Sequence, residues 1–272
     1  DEAVPGTQAV VARWQDGNWK QLGGHFTNGV LQALGVFNGQ LLAGGSFKTV
    51  GEQPVTNFAR WDGTTWLPVT PAPDGAIAGF AKWGNGLVVV GGFTNVGNVV
   101  SRGVALWTGT GWQPLAEGLG LTAPAAVAVN EDGIIAVGGK INGSSSEVWL
   151  RHGVTWERIG TGIAANTINA LLWEGSDLYV GGGFTDIGNV ESDTFAIWHD
   201  PLPQITFHRS PDHGYRIGQT GTKAGGLIME RGTSPDNLIP WRTNSPLGLR
   251  RTFLDQPADS SERGFYRART IE

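Results

Sequence analysis

Short apolar runs follow one another along the chain, separated by Gly-, Asn- and Asp-rich breaks, and none has helical period or helical length. In the first clear unit, Val30–Phe37 and Gln40–Phe47 predict two strands joined by a tight turn at Asn38-Gly39. Phe58–Trp61 and Thr65–Val69 predict two more, joined by Asp62-Gly63. Asn-Gly and Asp-Gly supply the positive φ that two-residue hairpin turns require. The runs Leu87–Val90 and Ile134–Val137 show no alternation of apolar and polar residues. They therefore predict strands buried on both faces.

The same unit returns. Trp14-Gln-Asp-Gly-Asn-Trp19 recurs as Trp61-Asp-Gly-Thr-Thr-Trp66 and as Trp107-Thr-Gly-Thr-Gly-Trp112. A degenerate copy, Arg151-His-Gly-Val-Thr-Trp156, has Arg151 in the first Trp's place, with Trp149 two residues earlier and on the same side of a strand. Trp198-His-Asp is a final half-copy. The separations are 47, 46, 44 and 47 residues. Gly44-Gly-Ser-Phe47 keeps the same period as Val90-Gly-Gly-Phe93, Gly138-Gly-Lys-Ile141 and Gly181-Gly-Gly-Phe184. Four strands in each repeat of this length are the mark of a β-propeller blade. The expected fold is all-β, a propeller over residues 1–200 followed by a small β-sandwich over 201–272.

These residues resemble kelch-like propellers. They are closer still to the GGxFT…ARWDGxxW repeats of fungal cortical cell-polarity markers and of many secreted bacterial proteins. The resemblance covers roughly residues 8–198 and implies a fold rather than an activity. After Pro201 and Pro203 the repeat markers stop. Segments 204–209, 215–219, 226–231, 250–254 and 264–271 then alternate as strands. Leu227–Arg231, Leu238-Ile-Pro-Trp241 and Arg263-Gly-Phe-Tyr-Arg267 resemble an accessory C-terminal β-sandwich module of secreted bacterial proteins.

The strand count leaves one feature over. Ala9–Trp14 and Lys20–Leu22 supply only the third and fourth strands of a unit. Five blades are preferred to four, because four leave Ala9–Trp14 surplus. An open strand edge is a template for pairing, so this half-unit is expected to pair within the chain or with a neighbouring copy.

Composition narrows the function. Gly makes up 43 of 272 residues, charged residues only 16%, and there is no Cys. That excludes disulfides, thiolate metal sites and a Cys nucleophile. The net charge is −5, and residues 1–199 carry 16 acidic against 9 basic residues, which argues against a nucleic-acid partner. No apolar run reaches the length of a membrane-spanning helix. The chain opens at Asp1 rather than Met, as a mature exported chain does, and a secreted, cell-surface or periplasmic location is expected.

Eleven of the twelve Trp lie in the repeats. Trp14, Trp19, Trp61, Trp66, Trp107, Trp112, Trp149, Trp156 and Trp198 are expected to pack between blades. Gly45, Gly91, Gly139 and Gly182 are expected where backbones approach closely. Asp16 and Asp62 read as turn carboxylates bonded to their own backbone. The five His show no metal-ligand spacing, no nucleophile motif is present, and no acidic residue recurs at the innermost strand positions. No metal, cofactor or catalytic residue is assigned. Candidate binding residues lie on the longer connections, 51–57, 97–103 and 188–193 together with 23–29, 70–75, 116–123 and 160–166: His25, Phe26, Glu52, Asn57, Asn98, Arg102, Asn189, Glu191 and Asp193. The expected function is a non-catalytic extracellular structural or interaction protein, with a protein partner or self-association, for example within a surface or filamentous assembly. A lectin using the long-loop face is the alternative, and a carbohydrate-active enzyme ranks behind both.

Overall fold

A computed structural model describes residues 8–117, 119–141, 145–163, 165–187, 190–192 and 194–199. It also describes six strands beyond them, Gln204–Arg209, Tyr215–Thr220, Leu227–Gly232, Ile239–Asn244, Arg250–Asp255 and Phe265–Thr270. Every regular element among the described residues is a β-strand. The chain forms two compact units, Asp1–Trp173 with Tyr179–Ile197, and Glu174–Leu178 with Trp198–Glu272.

In the first unit the repeats become sheets, each built in chain order. Sheet I comprises Leu31–Phe37, Gln40–Gly45, Phe58–Trp61 and Trp66–Pro68. Sheet II comprises Ile77–Trp83, Gly86–Gly91, Val104–Trp107 and Trp112–Pro114. Sheet III comprises Ala123–Val129, Ile135–Ile141, Ser145–His152 and Thr155–Ile163. Sheet IV has three strands, Ala165–Glu174, Asp177–Phe184 and Phe195–His199. Ahead of them Ala12–Gln15 and Asn18–Gln21 form a two-stranded hairpin. Its cross-strand pair Trp14↔Trp19 repeats the register of Trp61↔Trp66 and Trp107↔Trp112. The turn residues adopt the expected conformation, with φ of 50° and 76° at Asn38 and Gly39, and 51° and 75° at Asp16 and Gly17.

The uninterrupted apolar strand of sheet II has a simple cause. Leu87 and Val89 pack with Phe37, Leu42 and Phe58 of sheet I, while Val88 and Val90 pack with Ile135 and Val137 of sheet III. Both faces of the strand are covered, so both must be apolar.

The joints between successive sheets are aromatic and repeat. Phe58 is fully buried beneath Phe80, Trp107 and Trp112 of the next sheet, at ring distances of 5.5, 5.2 and 5.8 Å. Trp66, Trp112 and Trp156 also donate their indole N–H to a carbonyl of the preceding repeat. Trp66 bonds Leu22 at 2.8 Å, Trp112 bonds Pro71 at 3.0 Å and Trp156 bonds Leu115 at 2.7 Å. A buried indole needs such a partner. In the degenerate copy Arg151 pairs with Trp156, and its guanidinium lies 5.4 Å from the Trp83 ring centre, where Trp107 covers Phe37 in the joint before. Trp149 packs against the core shared by sheets II and III, as expected, although it is not the residue paired with Trp156. It packs beside Gly120 and donates to Glu147, which also accepts from Arg158.

Two expectations are corrected. Trp14 and Trp19 are exposed rather than packed between sheets, because no sheet among the described residues covers them; the rings meet each other edge-on. The connections at 51–57 and 97–103 are not open loops either. Each begins with a small hairpin, Thr49–Val50 with Gln53–Pro54 and Asn95–Val96 with Val99–Val100, and Asp186–Ile187 pairs likewise with Val190–Glu191.

The second unit contains two three-stranded sheets. Tyr215–Thr220 lies between Gln204–Arg209 and Arg250–Asp255, and Leu227–Gly232 lies between Ile239–Asn244 and Phe265–Thr270. Ile239–Asn244, which the alternation pattern leaves out, contains Pro240. Its place on a sheet edge is where a strand can lack that amide donor.

The Gly pair owes its place to backbone crowding. A Cβ on Gly45, Gly91, Gly139 or Gly182 would lie 2.0, 2.1, 2.3 or 2.1 Å from the carbonyl oxygen of Val30, Ala76, Ala123 or Thr167 respectively. Gly92, next in the chain, has nothing within 4 Å of that point. Gly91→Ala is therefore expected to cost at least about 3 kcal/mol or prevent folding, and Gly92→Ala to stay within about 0.5 kcal/mol. Denaturant melts of the two variants test the contrast, and equal costs would refute it. Trp107→Ala should cost about 3–5 kcal/mol by emptying the joint. The same change at exposed Trp14 should stay within about 0.5 kcal/mol.

Candidate functional site

The small hairpins carry the candidate residues Glu52, Asn98 and Glu191, and His25 and Arg102 lie close to them along the fold. The hairpins take their shape from a Val-Gly step. Val50 and Val96 are buried, and Gly51 and Gly97 follow with φ of 59° and 56°, which turns the chain back. Glu52 and Asn98 occupy the next turn position in each and are exposed. His25 is exposed beside the first hairpin, its carbonyl accepting the Gly51 N–H at 2.8 Å. Arg102 is exposed near the second, its own N–H donating to the Thr94 carbonyl at 3.0 Å. The structure thus places His25 and Glu52 about the first hairpin, and Asn98 and Arg102 about the second.

Phe26 and Asn57 are structural, not exposed. Phe26 is fully buried, edge-on to Phe47 and Trp66 at 4.8 and 5.2 Å, because its strand pairs with Val50 beneath the hairpin. Asn57 is buried with φ of 61°, its side-chain amide donating to the Pro73 carbonyl at 3.0 Å. Its own carbonyl accepts the Gly45 N–H at 3.0 Å. Gly103 and Thr194 take the same role toward Gly91 and Gly182, also with positive φ. Short residues that tolerate this conformation had looked like loop decoration in the sequence. Asn189 and Asp193 lie outside the described residues, and Glu191 is described only as backbone, opposite Asp186.

Sequence reading passed over two anchors of these hairpins. Thr27 and Thr49 bond through their hydroxyls across the first. Asp74 holds the second: its carboxylate accepts the backbone N–H of Thr94 at 2.7 Å, that of Asn95 at 3.0 Å, and the Asn95 side-chain amide at 3.0 Å. The only hint in the sequence was the Asp74-Gly75 step. In the Trp-Asp-Gly turn, Asp62 accepts the backbone N–H groups of Thr64 and Thr65, both at 2.8 Å, and these bonds hold its carboxyl well below the ordinary range.

Chemically, the hairpin turns present an imidazole, a carboxylate, an amide and a guanidinium on a fixed backbone. Such tips can make directional polar contacts with a partner. Among the described residues no three His, Asp or Glu side chains gather as metal ligands.

Partial burial opposes ionisation of Asp74, but the bonds from Asn95 and Thr94 outweigh it and lower its pKa. A carboxyl whose folded pKa is depressed contributes stability above its unfolded pKa of about 3.9 and loses it as pH falls through the folded value. Asp74→Ala is therefore expected to melt below wild type at neutral pH. The gap should close progressively below about pH 4. Melting curves across that range decide it, and a gap independent of pH would show that the carboxylate charge is irrelevant.

No family model and no curated protein matches this chain. Among solved structures, the computationally designed protein Ika8 aligns with 73% of this chain at 16% identity and a TM-score of 0.39. The chain spans 57% of that protein's length, and a likeness this slight carries no argument about fold or function.

Proposed function

We propose that the first unit is a β-propeller of the kelch-like, cortical-marker-like kind and the second a small β-sandwich. On this reading the protein is a non-catalytic structural or interaction protein, secreted or held at the cell surface. Five blade positions are favoured over four, since closing a four-bladed ring with Asn18–Gln21 would leave its hairpin partner Ala12–Gln15 surplus. The observation that carries the functional reading is the use made of polar side chains. Asn57, Asp62, Asp74 and Glu147 are each bonded to backbone or neighbouring side chains that shape the sheets and turns. The exposed tips Glu52, Asn98, Arg102 and His25 are left to meet a partner, which suits contact better than bond-making chemistry.

The exposed, adjoining indoles of Trp14 and Trp19 favour a second reading, glycan binding, because an indole face stacks on the apolar face of a sugar. A glycan array with the purified chain separates the two. The scaffold reading expects no binding that free sugar competes away. A specific, competable signal that is lost in Trp14→Ala would establish the lectin instead.

A further inference from the structure

The joint between sheets I and II has two halves, and the chain carries an uncovered copy of each. The first half is Phe58, fully buried beneath Trp107 and Trp112. Its counterpart in sheet IV is Phe195. The equivalence is fixed by hydrogen bonding, since the Gly182 N–H donates to Thr194 at 3.0 Å as the Gly45 N–H donates to Asn57. Phe195 is 51% exposed, where Phe58 is 0%. Ile197, two residues on and on the same side of the strand, is exposed as well. Gly44 and Gly138 abut Ile77 and Ile168 of the following sheets, whereas a Cβ on Gly181 would meet only Ala170, at 3.8 Å.

The second half is the Trp pair. Trp14↔Trp19 reproduces the register of Trp107↔Trp112, yet Trp14 and Trp19 are 58% and 69% exposed, where Trp107 is 5%. Among the described residues, therefore, sheet IV ends in a socket without its plug, and the N-terminal hairpin is a plug without its socket.

We propose that these blade positions do not close into a ring within one chain: the Phe195 face of one copy receives the Trp14–Trp19 hairpin of a second copy, remaking the Phe58–Trp107–Trp112 joint between chains. Socket and plug are different surfaces, so the contact is head-to-tail and either closes into a ring or continues as a filament. Two indoles and a phenyl ring, each burying about 150–250 Å² when fully covered, supply the apolar area. This names the partner of the scaffold reading and rests on it.

Light scattering of the full chain over a wide concentration range tests the proposal, with two variants. Trp14→Ala combined with Trp19→Ala removes the plug, and Phe195→Asp removes the socket. All three positions are exposed, and unchanged melting temperatures confirm that the variants fold. Wild type is expected to gain mass with concentration, and each variant alone to stay monomeric. Because each variant keeps one sound half, an equimolar mixture should give a heterodimer and nothing larger. A wild type monomeric at every concentration overturns the proposal, including one whose tryptophan emission is blue-shifted because the joint has closed within a chain. Self-association that survives both variants overturns it too. A chain that stays monomeric and binds no glycan sinks the joint but leaves the scaffold reading. One that self-associates and binds a glycan does the reverse.

Discussion

The first unit depends on one contact, an aromatic ring at the end of one sheet covered by the paired indoles of the next. Phe58 under Trp107 and Trp112 is its fullest form. Aromatic pairs at these distances contribute about 0.5–1.5 kcal/mol beyond the area they bury. The indole N–H bonds to Leu22, Pro71 and Leu115 add direction, since each ring must face a particular carbonyl of the preceding unit. Burial supplies the attraction and the hydrogen bond fixes how adjacent sheets meet. Where the first indole is replaced by Arg151, cation–π contact with Trp83 keeps the geometry with different chemistry.

That joint works only if the backbones inside it come close. One Gly of each pair, Gly45, Gly91, Gly139 or Gly182, allows this, because the carbonyl of the neighbouring strand occupies the space a Cβ would need. The first strands of sheets I, II and III each carry a one-residue register shift beside this point, at Leu31/Ala33, Ile77/Gly79 and Pro124/Ala126. Such a bulge bends and twists its strand. The positive-φ residue that accepts the Gly N–H belongs to the same construction, which is why Asn57 serves the fold rather than a ligand.

A unit whose elements are completed by their neighbours has a difficulty at its ends. Interior sheets have two covered faces, and the terminal ones have one. The same residue types then take opposite environments, with Trp66 buried and Trp19 exposed, and Phe58 buried and Phe195 exposed. Apolar surface left open in this way favours association, because covering it releases ordered water.

Period and turn chemistry were legible in the residues alone. Asn38-Gly39 dictates a hairpin wherever it stands, and Leu87–Val90 must be covered on both faces, because these are local properties of short segments. The crowding at Gly45, Gly91, Gly139 and Gly182 was readable too, since a recurring Gly pair has few other uses in a strand. The fates of Trp14, Phe26 and Asn57 were not readable. Each sits in a motif or connection that looks like its neighbours', and what separates them is whether another sheet lies against them. The small hairpins that follow three of the Gly pairs were hidden for the same reason. Their strands are two residues long, and their anchors, Asp74 and Thr27, lie about twenty residues away along the chain. Sequence by itself determined the repeating strand and its turns, because those follow from backbone sterics and side-chain period. Tertiary structure alone decided which copies are covered, because burial belongs to a pair of surfaces rather than to a residue.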